Sequence, residues 1–183
     1  MQWRRPSVQQ WILIRAGRAS DAAAFAAFAA RTFAETFGAD NRPDDMQAHL
    51  SNAFGLRQQT HELLNPNMIT LLAHQGEVLM AFAQVQRKDP PPCVAAPRPI
   101  ELHRFYVDRP AHGKGIAQQL MSAVHDAARS FDGTHLWLGV WERNSRAIAF
   151  YKKAGFTDCG STVFHVGVDP QTDRVMIARL PGS

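Results

Sequence analysis

Two hydrophobic periodicities alternate along the 183-residue chain, and each predicts a different kind of secondary structure. Short apolar runs predict strands near residues 11–16, 68–73, 78–87, 100–107, 135–141, 158–167 and 174–180. Apolar residues that recur every three or four positions predict helices near residues 20–37, 44–54, 56–64, 115–130 and 145–154. The order of these elements predicts a single α/β domain with a mixed sheet over residues 10–183.

Helix caps and turn residues set the expected boundaries of these elements. Ser20 is the expected N-cap of the first helix, because a serine side chain there can accept a backbone hydrogen bond. Gly155 is expected to end the last helix. Residues 169–172 are expected to join the two closing strands, and residues 1–9 are expected to be a disordered lead-in.

Composition narrows the class of protein without identifying a function. Hydrophobic residues make up 45% of the chain and charged residues 20%, as in ordinary soluble globular proteins. The net charge of +4 is spread without a run of Lys or Arg, so we expect neither nucleic acid nor a membrane as partner. Cys93 and Cys159 supply neither a disulfide framework nor a metal-ligand cluster, which favours a cytoplasmic protein without a metal. A homodimer is left open as its assembly.

Residues 100–117 are predicted to form a strand, a glycine loop and the start of a helix. Pro110 cannot extend a central strand, so the strand is expected to end before it. Gly113 and Gly115 permit positive φ and let a ligand approach the backbone closely. A glycine loop that opens a helix offers unpaired N–H groups and the positive end of the helix dipole, and both favour phosphate. Together with the charge of Lys114, the loop predicts a site for a phosphate-bearing ligand.

Other interpretations of the glycine loop are less specific or fail at single positions. A turn without a ligand is one alternative, because glycines are common where helices begin. A dinucleotide-binding fingerprint would need a small residue at its third glycine position, where this chain has Gln118. A Walker-type loop would need Gly-x-x-x-x-Gly-Lys-Ser/Thr, which is not in the sequence. Neither nucleotide motif therefore accounts for the loop.

Residues 144–156 carry a second pattern, Asn-x-x-Ala-x-x-Phe-Tyr-x-x-x-Gly-Phe. Asn144 directly precedes a helix, where an N-cap role is the simplest interpretation. Phe150 lies on a helix face that would ordinarily belong to the core. Tyr151 is ambiguous, because a buried tyrosine with a satisfied hydroxyl is common. Each residue alone therefore has a structural explanation, and the specificity lies in the whole pattern.

The two stretches together resemble the cofactor motifs of the GNAT superfamily of acetyl-CoA-dependent N-acetyltransferases. Residues 112–117 follow the pattern Arg/Gln-x-x-Gly-x-Gly/Ala except at His112, which occupies the Arg/Gln position. The resemblance implies a mixed, mostly antiparallel twisted sheet flanked by helices, with a splay between the two central strands. It implies acetyl-CoA as co-substrate, with the Asn144 side chain on the pantetheine arm and the Tyr151 hydroxyl facing the sulfur. The implied cofactor-binding residues are Phe105, Tyr106, Val107, His112, Gly113, Lys114, Gly115, Ile116, Ala117, Asn144, Tyr151 and Lys153.

Further stretches resemble the Pai-type polyamine N-acetyltransferases, and this similarity runs over residues 14–180. The stretches that carry it are residues 31–37, 44–54, 136–142 and 164–173. The resemblance implies a small amine of polyamine type as the acceptor. It also implies that Phe33, Phe37 and Glu142 line the amine pocket.

Acetyl transfer needs a neutral amine, so a base is expected near the acceptor. Deprotonating an alkylammonium group of pKa ~10.4 at neutral pH costs roughly 4–5 kcal/mol. Glu101 is the predicted base and substrate contact, because several GNAT enzymes carry a glutamate at this strand position; a surface glutamate without a role is the alternative. His103, on the same face, is the reserve base, and Tyr151 is the predicted acid for the leaving thiolate.

The sequence is also compatible with two other functions. A peptide N-terminal acetyltransferase would use the same co-substrate with a different acceptor. A regulator that binds acyl-CoA without turnover would need neither the predicted base nor the predicted acid. Holding the two substrates together contributes as much as ~7–11 kcal/mol, so positioning is expected to dominate and no metal is expected.

Overall fold

The computed structural model describes residues 11–182, which form seven strands and five α-helices. In chain order these are β1 (Ile12–Ala16), α1 (Ala22–Phe37), α2 (Pro43–Ala53), α3 (Leu56–Leu64), β2 (Met68–Gln75), β3 (Val78–Gln86), β4 (Pro99–Val107), α4 (Ile116–Ser130), β5 (His135–Trp141), α5 (Ser145–Lys153), β6 (Thr157–Val166) and β7 (Asp169–Arg179). Every helix and strand predicted from the periodicity is present, so the predicted α/β fold class is confirmed. The predicted lead-in at residues 1–9 lies outside the described residues.

All seven strands of the described part form one sheet, in the order β1-β2-β3-β4-β5-β7-β6. The central neighbours β4 and β5 are parallel, and the other neighbouring pairs are antiparallel. The β4–β5 pairing is short. It begins with Pro99 opposite His135 and ends with Glu101 opposite Trp137. The two strands diverge beyond that point, which confirms the predicted splay and opens a gap in the middle of the sheet.

A β-bulge at His103 changes the alternation of side chains along β4. The register against β3 passes from Leu102 opposite Val85 directly to Arg104 opposite Gln84, so His103 has no partner on β3. The bulge follows closely after the last pair between β4 and β5. Because a bulge re-aims the side chains that follow it, β4 changes its facing pattern where it enters the gap.

The two faces of the sheet carry separate hydrophobic cores. On one face, α4 buries residues at helical spacing, namely Ile116, Leu120, Met121, Val124, Ala127 and Ala128. α5 adds Tyr151 to the same core. On the other face, Phe25 and Phe28 of α1 meet Phe82 of β3 edge to face, with ring centroids 5.0 and 6.1 Å apart. The gap between β4 and β5 therefore lies between two layers of helices.

The beginning of α1 differs from the prediction. Ser20 is not the N-cap, because residues 19–21 form a 3-10 turn and the α-helix begins at Ala22. Asp21 occupies the N-cap position of α1 without a side-chain capping bond to the helix, and its Oδ2 instead accepts the Arg18 N–H of the 3-10 turn at 2.8 Å. None of the helices in the described part of the chain is both long and apolar enough to cross a membrane.

The closing hairpin also differs from the prediction. Residues 169–172 are not a connection but the first part of β7, and the turn consists of Gly167 and Val168. Pro170 is tolerated in the strand because residues 169–171 pair with β6 alone, and bonding on the β5 side begins at Thr172, whose carbonyl accepts the Glu142 N–H. The missing N–H of Pro170 therefore lies on a free edge of the strand, where no sheet hydrogen bond is lost.

Candidate active site

The loop between β4 and α4 presents unpaired backbone N–H groups. Gly113 and Gly115 have φ of +74° and +77°, a backbone conformation that residues with a side chain rarely adopt. A Cβ atom at either glycine would meet no protein atom within 4 Å, so the space beside the loop is open. The Gln119 N–H donates to the Gly115 carbonyl at 3.2 Å, and the N–H groups of residues 116–118 have no intrahelical acceptor. This is the geometry of an anion site.

His112 is held at the edge of this loop by two hydrogen bonds. Its Nε2 lies 2.8 Å from the Val107 carbonyl oxygen, and its Nδ1 lies 3.0 Å from Nη1 of Arg146. A carbonyl oxygen only accepts and a guanidinium only donates, so Nε2 carries the proton and Nδ1 is unprotonated. Arg146 therefore brings a permanent positive charge beside the position where the family pattern has Arg or Gln.

A cavity of about 550 Å³ extends through the gap between β4 and β5, within the size range of small-molecule sites. Most of the predicted cofactor-binding residues line it, namely Phe105, Tyr106, Val107, His112, Gly113, Gly115, Ile116, Ala117, Asn144 and Tyr151. Phe33 and Phe37, predicted for the amine pocket, line the same cavity. The structure thus joins the glycine loop, the Asn144 motif and the aromatic residues of α1 around one space.

Four predicted site residues lie outside the lining of this cavity, namely Glu101, Lys114, Glu142 and Lys153. The two lysines are exposed to solvent. Glu142 is exposed in the turn after β5. Its charge acts on Arg174: the pKa of Arg174 is raised mainly by Asp158 and to a smaller extent by Glu142. The structure therefore does not bring Glu142 to the aromatic residues with which it was grouped.

Glu101 is buried beside the cavity and is surrounded by partners. Its carboxylate accepts hydrogen bonds from Gln86 and from Lys88 Nζ, the latter at 3.2 Å, and lies 3.7 Å from Nδ1 of His103. Burial alone would raise the pKa of Glu101, but His103, Gln86 and Lys88 outweigh it, and the pKa lies below its ordinary value. A carboxylate stabilised in this way is a weak base, although its catalytic role stays a prediction.

Tyr151 is fixed on the α5 side of the cavity by aromatic packing. Its ring lies 6.3 Å from Phe105, 5.5 Å from Phe150 and 5.6 Å from Phe156, measured between centroids. Burial raises the pKa of the Tyr151 hydroxyl, so the group keeps its proton at neutral pH. With no hydrogen-bond partner among the described residues, the hydroxyl is available to donate to a ligand.

Asn144 links the cavity to the start of α5. Its Oδ1 accepts the Ala147 N–H at 3.1 Å, so the predicted N-cap role is confirmed. The cap fixes the side chain and leaves the Nδ2 protons for another acceptor. Asn144 lines the cavity, which suits the pantetheine contact implied by the resemblance, and that contact stays a prediction.

On the side covered by α1 and α2, the cavity is walled by an aromatic cluster. Phe33 lies 4.6 Å from both Phe37 and His49, Phe37 lies 5.6 Å from Trp141, and His49 lies 5.6 Å from Phe164. The sequence indicated the two residues of α1 as pocket residues, but it did not indicate His49, Trp141 or Phe164. These come from α2, β5 and β6, and nothing in their spacing indicates that they meet.

A buried polar network holds Arg104 at this wall. Arg104 Nη1 donates to Glu62 Oε2 at 2.6 Å and to Gln84 Oε1 at 2.8 Å. Gln84 in turn donates from Nε2 to the same Glu62 oxygen at 2.8 Å and to Thr70 Oγ1 at 3.2 Å. The charge of Arg104 is therefore neutralised within the protein.

Among the described residues that line the cavity, Asp173 is the one with a carboxylate. The sequence did not indicate it as a site residue. It lies on β7 opposite Trp141 of β5. A Cβ atom at Gly139 would come within 3.1 Å of Asp173 Oδ2, so the absence of a side chain at Gly139 makes room for this carboxylate. Burial raises the pKa of Asp173 to about 6. Asp173 ends the stretch 164–173 that resembles the Pai-type enzymes, but that resemblance implied no role for it.

Comparison with known proteins agrees with this arrangement. Residues 27–156 match the model of the acetyltransferase (GNAT) family. An uncharacterised N-acetyltransferase from Lactobacillus delbrueckii subsp. lactis is 32% identical over 153 residues, which are 83% of this chain and 88% of that protein. The crystal structure of a PaiA N-acetyltransferase from Thermoplasma acidophilum in complex with coenzyme A superposes with a TM-score of 0.74 at 17% identity, over 92% of this chain and 99% of that one.

A more local similarity connects the chain with a spermine/spermidine N(1)-acetyltransferase of Bacillus subtilis. The two are 27% identical over 82 residues, which are 44% of this chain and 50% of that protein. The family match, by contrast, spans both the glycine loop and the Asn144 motif. The chain therefore belongs to the GNAT family and is an acetyl-CoA-dependent N-acetyltransferase.

Proposed function

We propose that this enzyme acetylates a primary amine of a small, polyamine-like acceptor, and that the amine attacks acetyl-CoA directly in a ternary complex. The observation that carries the proposal is the continuity of the cavity. The anion site of the glycine loop lines one part of it, and the aromatic cluster around Phe33 lines another. Both substrates therefore have room in one space, as direct transfer requires.

The groups on the cofactor side are assigned to successive parts of acetyl-CoA. The pyrophosphate is assigned to the N–H groups of residues 115–118, with Arg146 as the nearby cation. The pantetheine arm is assigned to Asn144, and the thioester to the gap beside Tyr151. This assignment places the reacting carbonyl between the two helical layers, where side chains from both can reach it.

Positioning is expected to supply most of the rate enhancement. Aligning the amine and the thioester contributes as much as ~7–11 kcal/mol, more than either proton transfer alone. Tyr151 gives its proton to the thiolate as the carbon–sulfur bond breaks, and its rigid aromatic packing keeps the hydroxyl in place. In this proposal the reaction needs no metal ion.

The acceptor wall supports a cationic amine. The faces of aromatic rings attract ammonium groups, and the cluster includes Trp141, whose side chain type binds cations best. Asp173 adds a negative charge on the same side. The name of one similar protein, a spermine/spermidine N(1)-acetyltransferase, points to the same class of acceptor.

A screen of CoA release tests this proposal. The enzyme and acetyl-CoA are mixed with polyamines, amino acids, aminoglycosides or peptides with free N-termini, and the free thiol is measured. We expect the highest kcat/KM with spermidine or spermine. Preference for peptide N-termini would make the enzyme a peptide acetyltransferase, and acetyl-CoA binding without CoA release from any amine would make it a regulator. Either result would contradict the proposed function.

A further inference from the structure

We propose that Asp173 is the catalytic residue that takes the proton from the attacking amine, the role for which the sequence had indicated Glu101. This inference rests on the proposed function, since it concerns the acceptor side of the same reaction. It assigns to β7 a group that neither cofactor motif contains.

The position of Asp173 places its carboxylate at the gap in the sheet. Pairing between β4 and β5 ends at Trp137, so Gly139 and Trp141 belong to the part of β5 that borders the gap. The Asp173 carboxylate lies directly over Gly139, within 3.1 Å of the point where a Cβ atom would be. Trp141 contacts Phe37 of α1, so this is the side of the sheet where the aromatic cluster lies. Asp173 therefore faces the space assigned to the acceptor.

The Asp173 carboxylate accepts no hydrogen bond from the described residues, and Tyr106 is a group that its charge influences. Within residues 11–182 its side chain forms neither a hydrogen bond nor an ion pair. The two guanidinium groups on the cavity wall have other partners, because Arg104 is paired with Glu62 and Arg146 bonds to His112. An unpaired carboxylate in a partly buried site destabilises the fold, and such groups are concentrated at functional sites.

Among the titratable groups around the cavity, Asp173 is the carboxylate that can act as the base on the acceptor side. The other titratable lining groups are His49 on α2, His103, Arg104 and Tyr106 on β4, His112 in the glycine loop, and Arg146 and Tyr151 on α5. Burial is the main cause that lowers the pKa of His49 and raises the pKa of Tyr106. Tyr106 therefore keeps its proton at physiological pH and is not a base. His49 is neutral there and its ring is stacked on Phe33, whereas Asp173, with its pKa raised to about 6, is ionised and basic enough to accept a proton from the amine.

The protons balance in this scheme. The acceptor enters as an ammonium ion, gives one proton to Asp173 and attacks the thioester carbon, so that a carbon–nitrogen bond forms. The carbon–sulfur bond then breaks, and the thiolate takes the proton of Tyr151. The nitrogen loses a second proton as the amide forms. This proton reaches Tyr151 through solvent and restores its hydroxyl group. Asp173 releases its proton to water, so one proton is released for each ammonium ion consumed.

The test is a pH–rate profile of the Asp173→Asn variant with the best acceptor from the screen. We expect kcat/KM to fall about 10²–10⁴-fold at neutral pH and the defect to shrink as pH approaches the amine pKa of ~10.4, where free amine needs no base. The acetyl-CoA-induced thermal shift should be unchanged, because Asp173 lies on the acceptor side. Asp126→Asn is the matched control, since this carboxylate is 77% exposed on α4 and outside the cavity.

The outcomes separate this inference from the proposed function. A loss in Asp173→Asn that is the same at every pH, or a pH-dependent loss in Glu101→Gln instead, would overturn the inference and leave the proposed function standing. Absence of CoA release by the wild type with any amine would overturn both. If Asp173→Asn does not fold, Gly139→Ala serves as the second variant, because its methyl group shifts the carboxylate by a few tenths of an ångström without removing the charge. We expect it to lose about threefold in kcat/KM, and full activity would overturn the inference.

Discussion

At the scale of single residues, the ionised form of Asp173 is unfavourable in the folded protein. Its pKa is raised from 3.8 to about 6, so the folded state binds a proton more tightly than the unfolded state does. The free energy of unfolding of the wild type therefore declines as pH rises from about 4 to about 6. Above this interval the full cost of ionising Asp173 in the folded state is present. Asp173→Asn should raise Tm at about pH 8 and much less at about pH 3, where the carboxyl group is mostly protonated in both states.

This stability prediction is checked by thermal unfolding of both proteins across the pH range. Asp126→Asn, which removes an exposed charge, is the control and should show no such trend. A gain that is equal at low and high pH would mean that packing, not ionisation, distinguishes Asn from Asp at position 173.

Tyr151 gives a second prediction at the residue scale. Tyr151→Phe keeps the ring that packs on Phe150 and Phe156 but removes the hydroxyl. The variant should bind acetyl-CoA as the wild type does and lose about one to three orders of magnitude in kcat, as removal of a general acid does. Binding is measured by thermal shift and turnover by CoA release. Unchanged kcat would show that solvent protonates the thiolate.

Residues of the site were predictable from the sequence where they belong to a local pattern. Gly113, Gly115, Asn144 and Tyr151 lie in two short motifs, and the structure brings them to one cavity. Asp173 and Arg146 were not identified, because the role of each depends on contacts with residues far away in the chain. Arg146 meets His112 across 34 positions, and only the folded arrangement of α5 beside the glycine loop brings the two together.

At the scale of elements, hydrophobic periodicity predicted which helices and strands form, but it could not predict their geometry. The limits of α3 and β5 agree with the prediction, since glycine, proline or polar residues border both. The apolar pattern predicts neither the bulge at His103 nor the early end of the β4–β5 pairing. They depend on register between strands, and the resemblance to a family was needed to expect the splay.

The glycine loop gives a prediction for one element. Gly115→Glu should abolish the thermal shift caused by acetyl-CoA, because its side chain and carboxylate would occupy the space beside the free N–H groups. Gly76→Glu is the matched control, since Gly76 also has positive φ and open surroundings but lies in the β2–β3 turn, away from the cavity. Both variants carry similar backbone strain, so a thermal shift lost in both would indicate strain and not a blocked site.

At the scale of the whole molecule, the sheet consists of two parts that meet weakly at its centre. Strands β1 to β4 form one part, β5 to β7 form the other, and the two are joined by pairing from Pro99–His135 to Glu101–Trp137. The glycine loop follows β4 in the first part, whereas Asn144 and Tyr151 follow β5 in the second. A ligand that contacts both motifs therefore links the two parts across the gap.

This arrangement predicts that acetyl-CoA stabilises both parts together. Ligand at about 100 times its Kd should add about 2.7 kcal/mol to the free energy of unfolding, because it binds only the folded state. Amide hydrogen exchange should slow in residues 113–120 and in residues 144–151 alike, since opening either part breaks contacts with the ligand. Gly115→Glu with acetyl-CoA present is the control and should show neither change. Protection of the glycine loop without protection of α5 would mean that the cofactor does not cross the gap, and the assignment of Asn144 and Tyr151 to acetyl-CoA would be wrong.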